Sequence, residues 1–361
     1  MKNTICIAGA VLACVAILSA TTTTEAAAIE MVTIGNVNNA NDTRGDGYGG
    51  VDYQYSIGKY EVTAGQYAEF LNAVAGVDSH GLYHPNMSNE VDGCNLQRSG
   101  GGTLANPYQY SVEPIWANRP ANPVSWLDGV RLANWMQNGQ PTGPQDSDST
   151  EDGTYDLSST QEFYNPDGTV TFTWSLNVAA MLITRKAPAQ EGDAQWAIPT
   201  EDEWYKAAYY DAANEAYFLY ATSSNDEPAA HDVFNPDPGN KATWLDELRY
   251  TIRDGNPSHF TEVGEHENSA SPYGTFDQSG NASELTEGLM SAYRRTSRGG
   301  SMGSMDEVFI SAAYRSESYT YIKYGESGVR LVRVPEPATL TLLALGGLAL
   351  SRRRRLSRQA A

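Results

Sequence analysis

Asp277-Gln278-Ser279-Gly280-Asn281-Ala282-Ser283-Glu284 sets two carboxylates on either side of a Gly-Asn pair. Glycine enters left-handed backbone at little cost and asparagine tolerates it, so the pair reads as a tight turn. Such a turn can aim the carbonyls of Gly280 and Ala282 inward between Asp277 and Glu284, a donor set that suits a hard divalent cation. The plainer alternative has both carboxylates capping backbone N–H groups. Downstream, Ser297-Arg298-Gly299-Gly300-Ser301 carries a second turn. Its arginine can fork two hydrogen bonds to a carboxylate or to carbonyls, which reads as a pin for the turn rather than as catalysis. Around these turns lie short apolar pieces among Gly, Pro, Asn and Asp, the pattern of small strands joined by long loops.

Three segments have helical spacing. Thr63 to Ala75 opens on Thr63 as N-cap and repeats Tyr67, Phe70, Leu71 and Val74 on one face. Ser125 to Asn138 repeats Trp126, Val130, Ala133 and Trp135, and Gly139 ends it. Thr200 to Ala213 starts with a capping box, Thr200 with Glu203. No internal repeat is visible. The acidic stretch from Gly139 to Asp167 reads as a loop excursion within one domain, because neither flank looks like a complete core; a linker between two domains is the alternative.

The chain has 361 residues, 24 Lys and Arg against 44 Asp and Glu, and a formal charge of −20. A surface this acidic excludes nucleic acid, whose phosphates need clustered Lys and Arg. Three cysteines exclude a disulfide scaffold. Both ends read as addresses. Residues 1–28 have a short basic start, an apolar run from Ile5 to Leu18 and an Ala26-Ala27-Ala28 site, the order of a secretory signal cut after Ala28 by signal peptidase. Residues 334–361 run from Val334-Pro335-Glu336-Pro337 through an apolar stretch, Ala338 to Leu350, to Arg352-Arg353-Arg354-Arg355. As a helix that stretch is about 20 Å long, short for a bilayer. The order resembles the PEP-CTERM sorting tail, which implies a transient membrane stop, removal by an exosortase, and release to the cell surface or an extracellular matrix. Membrane contact through both termini is expected to be transient. Cys94 is then the one thiol of the processed chain, in a Gly- and Ser-rich loop without an obvious base, and reads as a bystander.

Six separated motifs recur in one order: Ile57-Gly58-Lys59-Tyr60-Glu61-Val62-Thr63, Asn122-Pro123-Val124-Ser125-Trp126, Ile198-Pro199-Thr200-Glu201-Asp202-Glu203-Trp204, Gly280-Asn281-Ala282-Ser283-Glu284, Ser297-Arg298-Gly299-Gly300-Ser301 and Gly328-Val329-Arg330-Leu331. Together they resemble the formylglycine-generating enzyme, or sulfatase-modifying factor, family over residues 29–333. The resemblance implies a single loop-rich α+β domain, a variant of the C-type lectin fold. It also implies calcium at Asp277, Gly280, Ala282 and Glu284; a second family calcium site finds only loose candidates in Asn240, Asp246 and Glu262. Ser283 and Leu285 stand where the family usually has aromatics.

The family's oxidase branch uses a cysteine pair soon after Arg-Gly-Gly-Ser to bind copper and engage a substrate cysteine. Here the segment is Ser301-Met302-Gly303-Ser304-Met305-Asp306-Glu307-Val308-Phe309, and no cysteine follows Cys94. The degenerate positions fall near Ser304 and Glu307. A serine hydroxyl titrates too high to ligate copper, and Met302 and Met305 cannot exchange disulfides. Copper and formylglycine synthesis are therefore not expected. No phosphate-binding loop, nucleophile elbow or dinucleotide fingerprint is present, and His80 and His84 are broken from helical register by Gly81 and Pro85.

The expected function is an exported, non-catalytic binding module for a protein, peptide or glycan ligand, with Arg298, Tyr314, Arg315, Tyr319 and Tyr321 as candidates for the binding face. The alternatives are a metal enzyme of the family with atypical ligands and a structural matrix protein.

Overall fold

The computed structural model describes residues 27–334, apart from 45–46, 92, 161–162, 165–169, 172–182, 187–193, 231–236, 246–251, 254–255, 258–259 and 292–293. Residues 1–26 of the expected signal, residues 335–361 of the expected tail and Asp246 lie outside the described residues.

The expected helices form, each started by its own side chain. α1 (Ala64–Val74) begins where Thr63 Oγ1 accepts the Gln66 N–H and Gln66 Oε1 accepts the Thr63 N–H. α2 (Trp126–Gln137) begins with the same reciprocal pair, Ser125 and Asp128. α3 (Glu201–Tyr209) begins with Thr200 and Glu203. Each box satisfies N–H groups that a helix start leaves orphaned. α3 stops short of the expected Ala213. Asp211 Oδ1 accepts the Ala213 N–H at 2.9 Å and its Oδ2 takes Asn214 Nδ2 at 2.6 Å, so a local turn replaces the next helical turn, and Tyr210–Asp211 pairs with Ala216–Tyr217 instead.

Eight strands build the two larger sheets: β1 (Met31–Ile34), β2 (Tyr55–Gly58), β3 (Gln195–Ala197), β4 (Ser283–Ser291), β5 (Arg294–Arg298), β6 (Ser316–Tyr319), β7 (Ser327–Gly328) and β8 (Val332–Val334). The first sheet runs β1-β2-β8-β3, all antiparallel. The second runs β6-β5-β4-β7, with β7 parallel to β4. Most strands are too short to show alternation, and loops carry much of the chain.

The main core joins the first sheet to α1 and α2. Ile34, Ile57, Leu331 and Val332 meet Tyr67, Phe70, Leu71, Trp126 and Val130, all fully buried. Phe70 and Trp135 lock the two helices, with ring centroids 5.2 Å apart. Each such side chain contributes roughly 1.5–3 kcal/mol by leaving water. Gly129 sets the approach of α2: a Cβ there would stand 2.9 Å from Ile198 Cδ1 and 3.0 Å from Val329 Cγ2.

The acidic loop after α2 is tied to the same body. Asn134 Nδ2 donates to the carbonyls of Thr150 and Tyr155, Asn138 Nδ2 to that of Ser149, and Arg131 pairs with Glu151 at 2.8 Å. It folds against the domain as an excursion. Ala27 is also packed in the core, and the Ala27 and Ala28 carbonyls accept from Gln140 and Gln66. These two residues pack with the domain, ahead of the expected boundary after Ala28.

Candidate functional site

Five of the six motifs meet in one buried frame, and the Asn122 motif joins its edge, where the Val124 N–H donates to the Ser327 carbonyl on β7. Glu284 on β4 stands between Arg298 on β5 and Gly328 on β7. Its carboxylate takes a forked pair from Arg330, at 2.7 Å from Nε and 2.6 Å from Nη2, and a third bond from Trp204 Nε1 at 2.7 Å. Arg330 also donates to the carbonyls of Gly58 and Phe276. Glu201, at the first turn of α3, accepts from Arg298 Nε at 2.7 Å and from both Nε and Nη2 of Arg315 at 2.6 and 2.8 Å. Arg298 Nη1 then donates to the Ala312 and Tyr314 carbonyls, fixing the loop beside the second sheet. Charged pairs this deep hold only because their hydrogen bonds are filled.

That frame changes the expected cation set. Glu284 is committed to Arg330 and Trp204, so it is not a free calcium ligand. Asp277, in left-handed backbone at φ 65°, accepts the Gly264 N–H at 2.6 Å. Beside it Glu61, absent from the expected set, accepts the Ala282 N–H through Oε1, while its Oε2 is buried with no hydrogen-bond partner. Three carboxylates thus face one guanidinium. Burial, helped by the Asp277 and Glu284 charges, pushes Glu61 well above the usual carboxylate range. Burial also pushes Asp277 up to about 7, against the Gly264 N–H and Arg330. An orphaned carboxylate oxygen in this setting fits a cation held between Asp277 and Glu61. Among the described residues no group of three or more His, Cys, Asp or Glu side chains converges on one metal position. Of the loose second-site candidates, Asn240 bonds Thr222 Oγ1 and the Asp226 and Glu227 carbonyls, and Glu262 lies at a different surface cavity.

Beyond the frame, the Arg-Gly-Gly-Ser turn opens a cleft of about 340 Å3. Gly299 and Gly300 take φ values of 89° and 66°. A Cβ on Gly300 would stand 2.5 Å from the Phe309 carbonyl, so only glycine lets the turn close there. The Ser301 N–H donates to Ser304 Oγ at 2.9 Å, and Ser301 Oγ donates to the Glu326 carboxylate. Ser304, Ser316, Met305, Phe309 and Tyr314 complete the walls. Phe309 and Tyr314 stack edge to face, centroids 4.9 Å apart.

Ser304 therefore lies in this cleft, while Glu307 is exposed at the start of the single turn Glu307–Ile310 and does not line it. Met302 packs against Phe260 and Ala282, whereas Met305 is 56% exposed, so the two thioethers do not share a surface. Of the five expected face residues, Tyr314 alone lines the cleft. Arg298 is buried in the frame, and Arg315 is drawn to Glu201. Tyr319 takes the Arg294 guanidinium on its hydroxyl and its ring, and Tyr321 packs on the main core. Glu326 was not expected, a lone glutamate in a loop carrying no signal in the sequence; Phe309 stands at the far end of the stretch from Glu307 in which the second degenerate position was expected. Cys94 is buried, its thiol pushed up to about 11 by burial.

The sequence profile of the sulfatase-modifying factor enzyme 1-like domain matches residues 21–335, and that of the PEP-CTERM protein-sorting motif matches residues 333–355. No curated protein matches the sequence. Among solved structures, CarF aligns at a TM-score of 0.48 and 19% identity, over 85% of this chain and 99% of that one. Treponema denticola variable protein 1 aligns at 0.45 and 16%, over 84% and 95%. PvdO from Pseudomonas aeruginosa aligns at 0.45 and 16%, over 85% and 95%.

Proposed function

The chain belongs to the sulfatase-modifying factor enzyme family and carries the sorting motif of proteins exported to the cell envelope or surface; from that premise we propose that it is a non-catalytic binding module whose ligand enters the cleft beside Arg298-Gly299-Gly300-Ser301. The observation that carries the proposal is the chemistry of that cleft. Serine hydroxyls, a carboxylate and two aromatic rings line it, and no cysteine follows Cys94 in the sequence. Hydroxyls and rings hold a ligand by hydrogen bonds and packing; they do not cycle electrons. A cation between Asp277 and Glu61 belongs to the proposal as a structural group, calcium being the hard ion such oxygens take. After exosortase processing the module is displayed at the surface or in the surrounding matrix.

A cleft-filling variant, Ser304→Trp, tests the reading. Binding to surface and matrix fractions of the producing cells, followed by biolayer interferometry, is expected to be lost. Because Ser304 is buried and accepts the Ser301 N–H, Ser316→Trp, at a half-buried position on the same cleft, is the paired variant expected to lose binding with the thermal midpoint held. Binding that survives with the cleft filled would place the ligand elsewhere and refute the reading.

A further inference from the structure

The lining of the cleft also selects a ligand class, an inference that rests on the binding reading above. Among the described residues no lysine or arginine lines it, and Glu326 stands at its edge in a chain of charge −20. Phosphate, sulfate and uronate ligands are repelled by both. A lysine- or arginine-bearing peptide is the competing ligand: it can pair with Glu326, the one carboxylate among the described lining residues, but groups that only donate leave the serine hydroxyl protons without an acceptor. The Ser301 hydroxyl proton is spent on Glu326, so Ser304 and Ser316 are the hydroxyls left to donate to a ligand while Glu326 keeps lone pairs to accept, and the natural counterpart is a group that does both. A neutral sugar presents such hydroxyls in adjacent pairs. It also has apolar C–H faces, which match the rings of Phe309 and Tyr314 and the exposed thioether of Met305. The volume is at the small end of the range for ligand sites, roughly 300–1,000 Å3. It suits an end or short stretch of a chain rather than a long groove of subsites.

We infer that the cleft binds a neutral polysaccharide, an adjacent hydroxyl pair reaching the Glu326 carboxylate and the serine hydroxyls while one ring face packs on Tyr314 and Phe309. The full processed chain would be titrated calorimetrically with neutral glucan, galactan and mannan oligosaccharides, with polygalacturonate, and with lysine- and arginine-rich peptides. At least one neutral series is expected to bind with little dependence on salt. Glu326→Gln and Tyr314→Ala should each weaken it about tenfold or more, equivalent to 1.4 kcal/mol, and Ser304→Trp should abolish it. Peptide binding that Ser304→Trp removes and salt weakens would overturn the sugar assignment and leave the binding reading standing. Neutral-glycan binding that survives Ser304→Trp would overturn both. Failure of every neutral glycan to bind overturns the inference alone, provided a surface fraction still binds through the cleft.

Discussion

In chelator, the stability of this domain is expected to fall as pH rises, because of Asp277. Its carboxyl is held up from an ordinary value of 3.8 to about 7, with burial as the main cause. The unfolded chain therefore gives up this proton first. The folded state is favoured in full below about pH 4, loses ground as pH climbs toward 7, and levels off above that. Each tenfold change in proton affinity is worth about 1.4 kcal/mol, so the interval from 3.8 to about 7 corresponds to roughly 4 kcal/mol. Asp277 is only half-buried at its surface, and solvent trims the figure to about 2–4 kcal/mol. For a domain of this size that is on the order of 4–12 °C in thermal midpoint. Calcium bound as proposed would reverse the trend, since it takes the ionised form and adds stability only to the folded state. Buried acids held low, such as Glu203 beside Arg185, tilt the profile the other way, so the quantity to follow is wild type minus Asp277→Asn. Calorimetric melts from pH 5 to 8, with chelator and with millimolar calcium, give it. The expected difference declines with pH in chelator and is flattened or inverted by calcium. A difference that stays level in chelator and does not respond to calcium would refute the argument for a carboxylate pair, Asp277 and Glu61, that takes a cation.

Further outcomes concern the frame, the cleft and the buried thiol. Gly300→Ala should cost about 1–3 kcal/mol in urea unfolding, because its backbone is left-handed and the Phe309 carbonyl cannot retreat. Gly303→Ala meets only the movable Glu326 carboxylate, so it should spare stability and impair ligand binding; equal losses for both would contradict this. Glu201→Gln should cost about 3–5 kcal/mol, since two guanidiniums, Arg298 and Arg315, lose the same partner charge. A loss under about 1 kcal/mol would show that the pairs are replaceable. Cys94 should resist maleimide at pH 8 until the chain is unfolded, its thiol being buried and pushed up to about 11; full labelling of the native protein would count against that placement.

The helices were legible because each carries its start signal and its repeat in one short window: Thr63 with Gln66, Ser125 with Asp128, Thr200 with Glu203. The end of α3 was not, because the competing turn at Asp211 draws on side chains that are equally at home in a helix's last turn. The turn at Gly280-Asn281 was readable from its residue types, and both residues do take positive φ. The charge balance around it was hidden: Arg330 and Glu61 reach the turn from distant parts of the chain and decide that Glu284 is spent while Asp277 is not. The cleft was the least legible part. Its walls come from the turn after β5, the single turn ending at Ile310, β6 and the loop before β7, pieces that only the sheet brings together.

The most direct test gives the purified chain a sulfatase-type peptide containing a single cysteine, with copper and oxygen, and follows the peptide by mass spectrometry. A binding cleft without thiols predicts that the cysteine comes through unchanged. Conversion of that cysteine to an aldehyde would contradict the proposal at its root.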